Sequence, residues 1–133
     1  MTNIVAGCIF HWQEYEFSDG QKADKYFVIL GAKQGRNYLA VIATSQPHKR
    51  KFVAGCNEKE GYYHIPGGKK EWFPKDTWLL LAEPKEVSPA EFLKLALSKA
   101  ITLSGNLREE IANAIRNCIK KCQDISQAQI DLL

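Results

Sequence analysis

The sequence predicts a mainly β protein of the α+β class, in which a small antiparallel barrel packs with two C-terminal helices. Short β-branched and aromatic runs recur over residues 4–82, with Gly and Pro turns between them, a pattern typical of such barrels. A capped helical pattern follows from Ser88. Because 133 residues suit one hydrophobic core, we predict a single domain over residues 1–133, with a barrel at about residues 3–87 and a helical part at about residues 88–124.

The first three predicted strands lie at residues 4–12, 25–30 and 38–43. The first is β-branched and aromatic, and Gly7 within it marks a bulge or a close backbone approach. The other two are nearly continuously apolar, a pattern typical of strands that are buried on both faces. Residues 13–24 are polar and carry an Asp-Gly turn signal, so they form either a hairpin tip or a longer mobile loop.

The middle of the chain is predicted to be a basic loop followed by two more strands. Residues 46–61 are polar and basic, and a short strand at residues 51–54 is one option within them. Residues 61–65 form a strand that ends at a Pro-Gly turn signal. Residues 76–82, DTWLLLA, form the clearest late strand.

The first C-terminal helix begins at a capping signal. Ser88 stands at the cap, Pro89 at the first helical position and Glu91 three residues after the cap, which together form a capping box. The helix is predicted to run to about residue 100 and to bury its apolar side chains, Phe92, Leu93, Leu95, Ala96 and Leu97.

A second helix is predicted to start after residues 104–106 and to carry one continuous apolar stripe. The members of this stripe are Leu107, Ile111, Ala114, Ile115, Cys118, Ile119 and Cys122. We expect the stripe to pack on the protein's own barrel, and a partner or dimer contact is the alternative. Residues 124–133 show little periodicity and receive no assignment.

The formal charge of +3 is unevenly distributed. Between Lys33 and Lys75, nine basic residues stand against three acidic ones. Such a local excess is either a solvated face or a binding surface for a polyanion. Residues 48–51, His-Lys-Arg-Lys, directly follow a Thr-Ser-Gln-Pro segment that ends a predicted strand, which favours the second interpretation.

The expected redox state of the cysteines depends on the compartment in which the protein is located. No basic region precedes the first apolar residues and no apolar run has the length of a membrane span, so we expect a cytoplasmic protein without a membrane partner. The four cysteines are then expected to be reduced. Cys118 and Cys122 form only one loose ligand pair, whereas structural zinc normally has two pairs. We therefore expect both thiols in the apolar core, and neither a metal nor a cofactor.

The two apolar strands of the hairpin carry polar side chains at one edge. Lys25 begins the second strand, and Thr44 and Ser45 end the third. In an antiparallel hairpin the start of one strand lies beside the end of the next. We therefore expect Lys25, Thr44 and Ser45 to share one surface patch.

The order of these features resembles the MazF/PemK-like toxins of type II toxin–antitoxin systems over about residues 3–100. Residues 6–10, AGCIF, are similar to the opening G-D-I-V strand of that family, and residues 25–31, KYFVILG, to its R-P-A-V-V-L-S strand. Residues 41–46, VIATSQ, are similar to its strand ending in Thr-Ser or Thr-Thr, and residues 75–81, KDTWLLL, to its late K-D-S strand.

The resemblance implies an SH3-like barrel, a homodimer, and metal-independent cleavage of single-stranded RNA that a cognate antitoxin protein silences. In such cleavage a ribose 2′-hydroxyl attacks the adjacent phosphate, which requires a base, an acid and positive charge. Lys25 stands where the family has its Arg, and Thr44 and Ser45 stand where it has its hydroxyls.

Several positions depart from the family pattern. Lys25 offers a mobile point charge where Arg offers a rigid fork of donors, and Tyr26 replaces the Pro that follows the Arg. Some members carry an Arg and an Asp in the late strand as acid and base. The corresponding residues here are Leu80 and Ala82, and a shift by one residue would place Glu83 there.

The resemblance and the charge pattern together give a set of candidate site residues. The candidate catalytic residues are Lys25, Thr44, Ser45 and His48, with His48 as an acid or base. The candidate RNA-binding residues are Lys22, Arg36, Lys49, Arg50 and Lys51. Candidates for stacking on bases are Trp12, Tyr15 and Trp72. The alternatives are a non-catalytic barrel module that binds nucleic acid or a protein, and an interaction protein that works through its C-terminal helices.

Overall fold

The computed structural model describes residues 4–68 and 71–133. Its strands are β1 (Cys8–Glu16), β2 (Lys22–Gly31), β3 (Tyr38–Thr44), β4 (Gly55–Asn57), β5 (Tyr62–Ile65), β6 (Thr77–Val87) and β7 (Ile101–Asn106). Its helices are α1 (Pro89–Leu97), α2 (Glu109–Lys121) and α3 (Gln127–Ile130). Within the described residues, no helix has the length and apolar character needed to cross a membrane.

The seven strands form one antiparallel sheet in the order β4-β5-β6-β3-β2-β1-β7. This arrangement, with the helices outside the sheet, confirms the predicted α+β class. The central strands β2 and β3 pair in a register that places Val28 opposite Val41. Most of their residues are buried on both faces, as the continuous apolar runs predict.

A hydrophobic cluster lies on each face of the sheet. Val28 and Leu30 of β2 belong to one cluster, and Phe27 and Ile29 belong to the other, because successive side chains of a strand point to opposite faces. The first cluster contains Ile115, Cys118 and Ile119 of α2, and the second contains Phe92 of α1. The two longer helices therefore cover opposite faces of the sheet.

The β1–β2 hairpin differs from the prediction at both ends. β1 begins at Cys8 rather than at residue 4 and continues to Glu16, and β2 begins at Lys22 rather than at residue 25. Most of residues 13–24 is therefore strand, and the connection is a short turn. Glu16 and Lys22 pair across the hairpin although both are exposed. Backbone pairing holds these polar ends, which an apolar pattern cannot reveal.

The prediction for the segment after α1 is wrong. The first helix ends at Leu97 rather than at about residue 100, and Lys99 takes a positive φ of 65°. The following residues, Ile101–Asn106, form β7 and pair with β1 at the edge of the sheet, where residues 104–106 were expected to start a helix. The predicted helical part of the chain thus contributes a strand, because pairing with β1 satisfies its backbone groups.

The short strand β4 lies at Gly55–Asn57 and not at residues 51–54. The Lys51 N–H donates to the Tyr62 hydroxyl at 3.0 Å, and its carbonyl accepts from Trp78 Nε1 at 3.0 Å. Side chains from β5 and β6 thus satisfy the backbone of Lys51, so it pairs with none of the described strands.

Helix α1 begins at the predicted cap but is less buried than predicted. The Ser88 hydroxyl accepts the N–H of Glu91 at 3.1 Å. This bond is one half of the predicted capping box, and no return bond from the Glu91 side chain to Ser88 is present among the described residues. Phe92 is buried against the sheet, whereas Leu93 is 59% exposed and Leu97 is 76% exposed. The prediction that Leu93 and Leu97 are buried is therefore wrong, since only the side of α1 that carries Phe92 rests on the sheet.

The apolar stripe of the second helix packs on the sheet, as predicted. All seven of its members belong to the first cluster or pack against it. The tail that received no assignment forms α3, and its last residues, Leu132 and Leu133, complete the same cluster. This tail passes so close to β2 that a Cβ on Gly31 would lie 2.2 Å from the Leu132 carbonyl oxygen.

A disulfide joins Cys56 of β4 to Cys118 of α2 across a Cα–Cα distance of 5.5 Å. The prediction that all cysteines are reduced is therefore wrong, and Cys118 in this state supplies no thiolate for zinc. Cys8 and Cys122 are free and buried. Burial raises the pKa of the Cys122 thiol. The pairing lies between residues 62 positions apart, so only the tertiary fold reveals it.

Tyr63 of β5 gives the folded state a dependence on alkaline pH. Burial raises the pKa of the Tyr63 hydroxyl, and the negative charge of Glu71 raises it further. As the pH rises, the Tyr63 hydroxyl of the unfolded chain loses its proton first, near pH ~10. The contribution of Tyr63 to the free energy of unfolding is therefore complete below that pH, and it is lost as the pH rises through the raised pKa of the folded state. We expect Tyr63→Phe to flatten the fall in the free energy of unfolding, measured by urea denaturation between about pH 9 and about pH 11. An equally steep fall in both proteins would contradict this prediction.

Candidate functional site

Lys25 and Thr44 lie side by side at one end of the sheet. Tyr26 of β2 pairs with Ala43 of β3, so the residue before Tyr26 and the residue after Ala43 are neighbours on adjacent strands. The strand register thus confirms the predicted shared edge for Lys25 and Thr44. Both side chains are half-buried.

Strand β6 bulges away from β3 next to this edge. Ala40 pairs with Lys85, and Ile42 pairs with Leu80. Four residues of β6, residues 81–84, therefore face a single residue of β3. We call these four residues the β6 bulge. A bulge of this size redirects side chains out of the regular alternation of a strand.

Gly61 anchors the β6 bulge. Its carbonyl accepts the N–H of Leu81 at 2.8 Å and the N–H of Ala82 at 3.2 Å. Gly61 has a φ of 76°, and a Cβ there would lie 2.8 Å from the Cβ of Ala82, so this position requires glycine. Glu83 and Pro84 follow these two bonds. Pro84 is tolerated because residues of the bulge do not pair with β3, so no ladder hydrogen bond needs the N–H that proline lacks.

A cleft of about 670 Å³ opens between the β6 bulge, the start of β2 and the loop after β3. This volume is typical of small-molecule sites. Apolar side chains that line the cleft include Phe27, Ile42 and Leu80. The polar residues that line it include Lys25, Thr44, His48, Arg50, Glu60, Glu83 and Lys85.

The cleft is lined by charges of both signs. Its cations are Lys25, Arg50 and Lys85, and its carboxylates are Glu60 and Glu83. Among the residues that the structure describes, no ion pair within 4.0 Å involves any of these five. The cations are therefore available to bind a phosphate, and the carboxylates are available to accept a proton.

The loop after β3 brings His48 and Arg50 to the cleft. Thr44 Oγ1 accepts the N–H of Gln46 at 3.1 Å, which starts the turn. Arg50 Nη1 donates to the carbonyls of Gln46 at 3.2 Å and Pro47 at 3.3 Å, whereas its Nε and Nη2 have no hydrogen-bond partner in the described part of the chain. His48 takes a left-handed φ of 42°, a costly conformation that is often found at functional sites.

A smaller pocket of about 260 Å³ borders the cleft. We call it the side pocket. Lys25 and Thr44 line both hollows and form the boundary between them. Further residues that line the side pocket include Tyr26, Ser45 and Phe73.

The structure brings together some of the predicted site residues and separates others. Four of the nine line the cleft, namely Lys25, Thr44, His48 and Arg50, and Ser45 lines only the side pocket. Exposed residues that line neither hollow are Lys22, Lys49 and Lys51. Arg36 lies in the β2–β3 turn, at the opposite end of the hairpin from the cleft.

The three stacking candidates also differ in position. Tyr15 lines the cleft, and Lys85 Nζ lies 6.0 Å from the centre of its ring. Trp12 and Trp72 are half-buried among other aromatic rings and line neither hollow. Tyr15 is therefore the one of the three that can contact a ligand in the cleft.

Sequence reasoning missed Glu60 and Lys85 and offered Glu83 only as an alternative. Glu60 lies in the turn before β5, where its N–H donates to Asn57 Oδ1 at 3.1 Å. The predicted strand ends at Ala82, whereas β6 continues past Pro84 to Val87, so Glu83 and Lys85 lay outside the predicted element. A signal was present nonetheless, because a proline next to a strand is typical of a strand edge or a bulge. Nothing local in the sequence points to Glu60.

Comparison of the chain with known proteins assigns it to no family. No family model matches the sequence, and no curated protein matches it. The candidate site therefore rests on its geometry and on the order of features along the chain.

Proposed function

We propose that the protein is an endoribonuclease that cleaves single-stranded RNA in the manner of the MazF/PemK-like toxins. The observation that carries this proposal is the convergence of Lys25, Thr44, His48 and Arg50 on one cleft that also contains Glu60 and Glu83. Positive charge, a hydroxyl and proton-transfer groups are the components that phosphodiester cleavage requires.

The proposed reaction begins with the ribose 2′-hydroxyl. A carboxylate, Glu60 or Glu83, accepts its proton while the 2′-oxygen forms a bond to the adjacent phosphorus. The bond from phosphorus to the 5′-oxygen breaks, and His48 in its protonated form gives a proton to that oxygen. The products are a 2′,3′-cyclic phosphate and a free 5′-hydroxyl, so atoms and charge balance without a co-reactant.

Lys25 and Arg50 stabilise the charge that develops on the phosphate. Arg50 offers the donors on Nε and Nη2, and Lys25 offers a point charge at the boundary of the two hollows. Thr44 donates its hydroxyl to a phosphate oxygen while its oxygen accepts the N–H of Gln46. The β6 bulge gives this chain a carboxylate at Glu83, beside Leu80 and Ala82, where related toxins carry their acid and base.

The proposal includes the assembly that the resemblance implies. The sheet is a variant of an SH3-like barrel, the working form is a homodimer, and a cognate antitoxin protein silences it. The support for these points is the resemblance of the motifs along the chain, and the antiparallel sheet supports only the β-rich fold.

Incubation of the purified protein with a long single-stranded RNA in EDTA tests the proposal. We expect discrete fragments with 2′,3′-cyclic phosphate and 5′-hydroxyl ends, which end-labelling and mass spectrometry identify. A control RNA with 2′-fluoro nucleotides lacks the nucleophile and should stay intact. Intact unmodified RNA, or fragments with 5′-phosphate ends, would contradict the proposed reaction.

The second candidate is a non-catalytic module that binds single-stranded nucleic acid. The apolar Leu80 and Ala82 in the cleft favour it, because they stand where the related toxins have an acid and a base. Salt-dependent RNA binding without cleavage would select this function.

A further inference from the structure

The side pocket contains an aromatic ring that is exposed and held in place. Tyr26 is 39% exposed although it lies within a strand of the central sheet. Its ring centre lies 5.2 Å from that of Trp72, 5.1 Å from His11 and 6.4 Å from Phe73. All three neighbours are tilted or edge-on to Tyr26, so none of these three rings stacks on its face.

Unused polar groups surround this ring. Ser45 and Gln46 line the side pocket, and neither side chain has a hydrogen-bond partner within residues 4–68 and 71–133. Asp24 also lines it, but its carboxylate already accepts the N–H of Glu14 at 2.9 Å. The free hydroxyl and amide can therefore donate to and accept from the edge of a planar ligand.

Cations flank the same pocket. Lys25 stands at the boundary with the cleft, and Lys75 also lines the side pocket. Neither lysine has an acidic partner within 4.0 Å among the described residues. An aromatic platform, polar edge groups and flanking positive charge form the combination that single-stranded nucleic acids bind.

We infer that the side pocket binds a nucleobase of single-stranded RNA, next to the phosphate that is cut in the cleft. Tyr26 stacks on the base, Ser45 and Gln46 bind its edge, and Lys25 and Thr44 contact the phosphate that links it to the nucleotide in the cleft. This inference rests on the proposed function, because it assigns the RNA to both hollows. It also gives a role to Tyr26, the residue that replaces the Pro of the related toxins.

The test uses a short RNA in which every nucleotide is 2′-fluoro, so that it binds and cannot be cleaved. Tyr26→Ala should weaken binding by about fivefold or more, the range expected for the loss of one stacked base. The matched control Tyr26→Phe keeps the ring and should change the affinity by less than about twofold. Fluorescence anisotropy at one fixed salt concentration measures all three proteins.

Abasic nucleotides separate stacking from an indirect effect of the substitution. At one position of the RNA, removal of the base should weaken binding to the wild type and should have little further effect on Tyr26→Ala. Equal losses for both proteins at every position, or equal affinities of the wild type and Tyr26→Ala, would overturn the inference. Absence of any binding to the wild type would overturn it as well.

Failure of the two proposals is distinguishable. Cleavage of natural RNA with no effect of Tyr26→Ala on binding would leave the endoribonuclease and remove the base pocket. If natural RNA stays intact, but removal of one base weakens binding to the wild type and not to Tyr26→Ala, the base pocket would stand and the endoribonuclease activity would be ruled out. If near-ultraviolet circular dichroism shows that Tyr26→Ala does not fold, Gln46→Ala in the exposed loop takes its place in the same abasic comparison.

Discussion

Replacing Lys25 with Ala should lower the rate of RNA cleavage by about 100-fold or more. Lys25 lies at the boundary of the cleft and the side pocket, and in the proposed reaction its charge stabilises the phosphate as negative charge develops there. The effect should appear in kcat more than in KM, because the interaction strengthens in the transition state. Initial rates on a defined single-stranded RNA in EDTA measure both constants.

Lys94→Ala is the matched control for this experiment. Lys94 lies on α1, is exposed, and lines neither hollow. Its removal changes the net charge by the same amount and should change kcat by less than about twofold, within the range of surface substitutions. Equal activities of Lys25→Ala and Lys94→Ala would show that the cleft is not the site of cleavage. Lys25→Arg, which introduces the residue that the MazF/PemK-like toxins carry in the strand that this segment resembles, should retain most of the activity.

The second large effect concerns the disulfide between Cys56 and Cys118. It closes a loop of 62 residues, and the double variant Cys56→Ser, Cys118→Ser should lose about 2–4 kcal/mol of unfolding free energy. Cys56 lies on a strand of only three residues at the edge of the sheet, so few other contacts compensate. Urea denaturation of the oxidised wild type and of the variant measures the difference.

A reducing agent provides the internal control for this second prediction. It should lower the stability of the wild type towards that of the double variant and leave the variant unchanged, because the exposed Cys56 makes the bond accessible. A thiol titration under denaturing conditions should find two free thiols in the oxidised wild type, from Cys8 and Cys122. Four free thiols in protein purified without reductant would contradict the pairing.

The elements that the sequence predicts correctly have long or unambiguous apolar patterns. The second half of β2 and most of β3 form nearly continuous apolar runs, and burial on both faces follows from that continuity. The stripe of α2 repeats over four turns, which leaves one orientation on the sheet. For such segments, local pattern and tertiary environment require the same structure.

The predictions are wrong where contacts between distant segments determine the local structure. The six residues of β7 are too few to distinguish a strand from the end of a helix, and pairing with β1 settles their structure. Leu93 and Leu97 follow a helical period, but a helix of nine residues rests on the sheet through one narrow side. The disulfide likewise depends on the distance between β4 and α2, which no local pattern encodes.

The residues of the candidate site also fall into those that a local pattern predicts and those that distant contacts position. The neighbourhood of Lys25 and Thr44 follows from hairpin geometry alone, so the sequence predicts it. Glu60 and Lys85 line the cleft because Gly61 is hydrogen-bonded to the β6 bulge. This contact joins two segments that are distant in the sequence, so no local pattern predicts it. Arg36 illustrates the opposite case, since its charge belongs to the basic segment while the hairpin carries it to the far end of the sheet.

The β6 bulge separates the side chains of the cleft from those of the core. The pairs on either side of it, Ala40 with Lys85 and Ile42 with Leu80, set the register of the sheet. Leu81 is committed to the hydrophobic core, but Glu83 and Pro84 face the cleft. Substitution at these two positions can therefore change the chemistry of the cleft at little cost to the sheet, and a library restricted to them would explore new substrates on an unchanged scaffold.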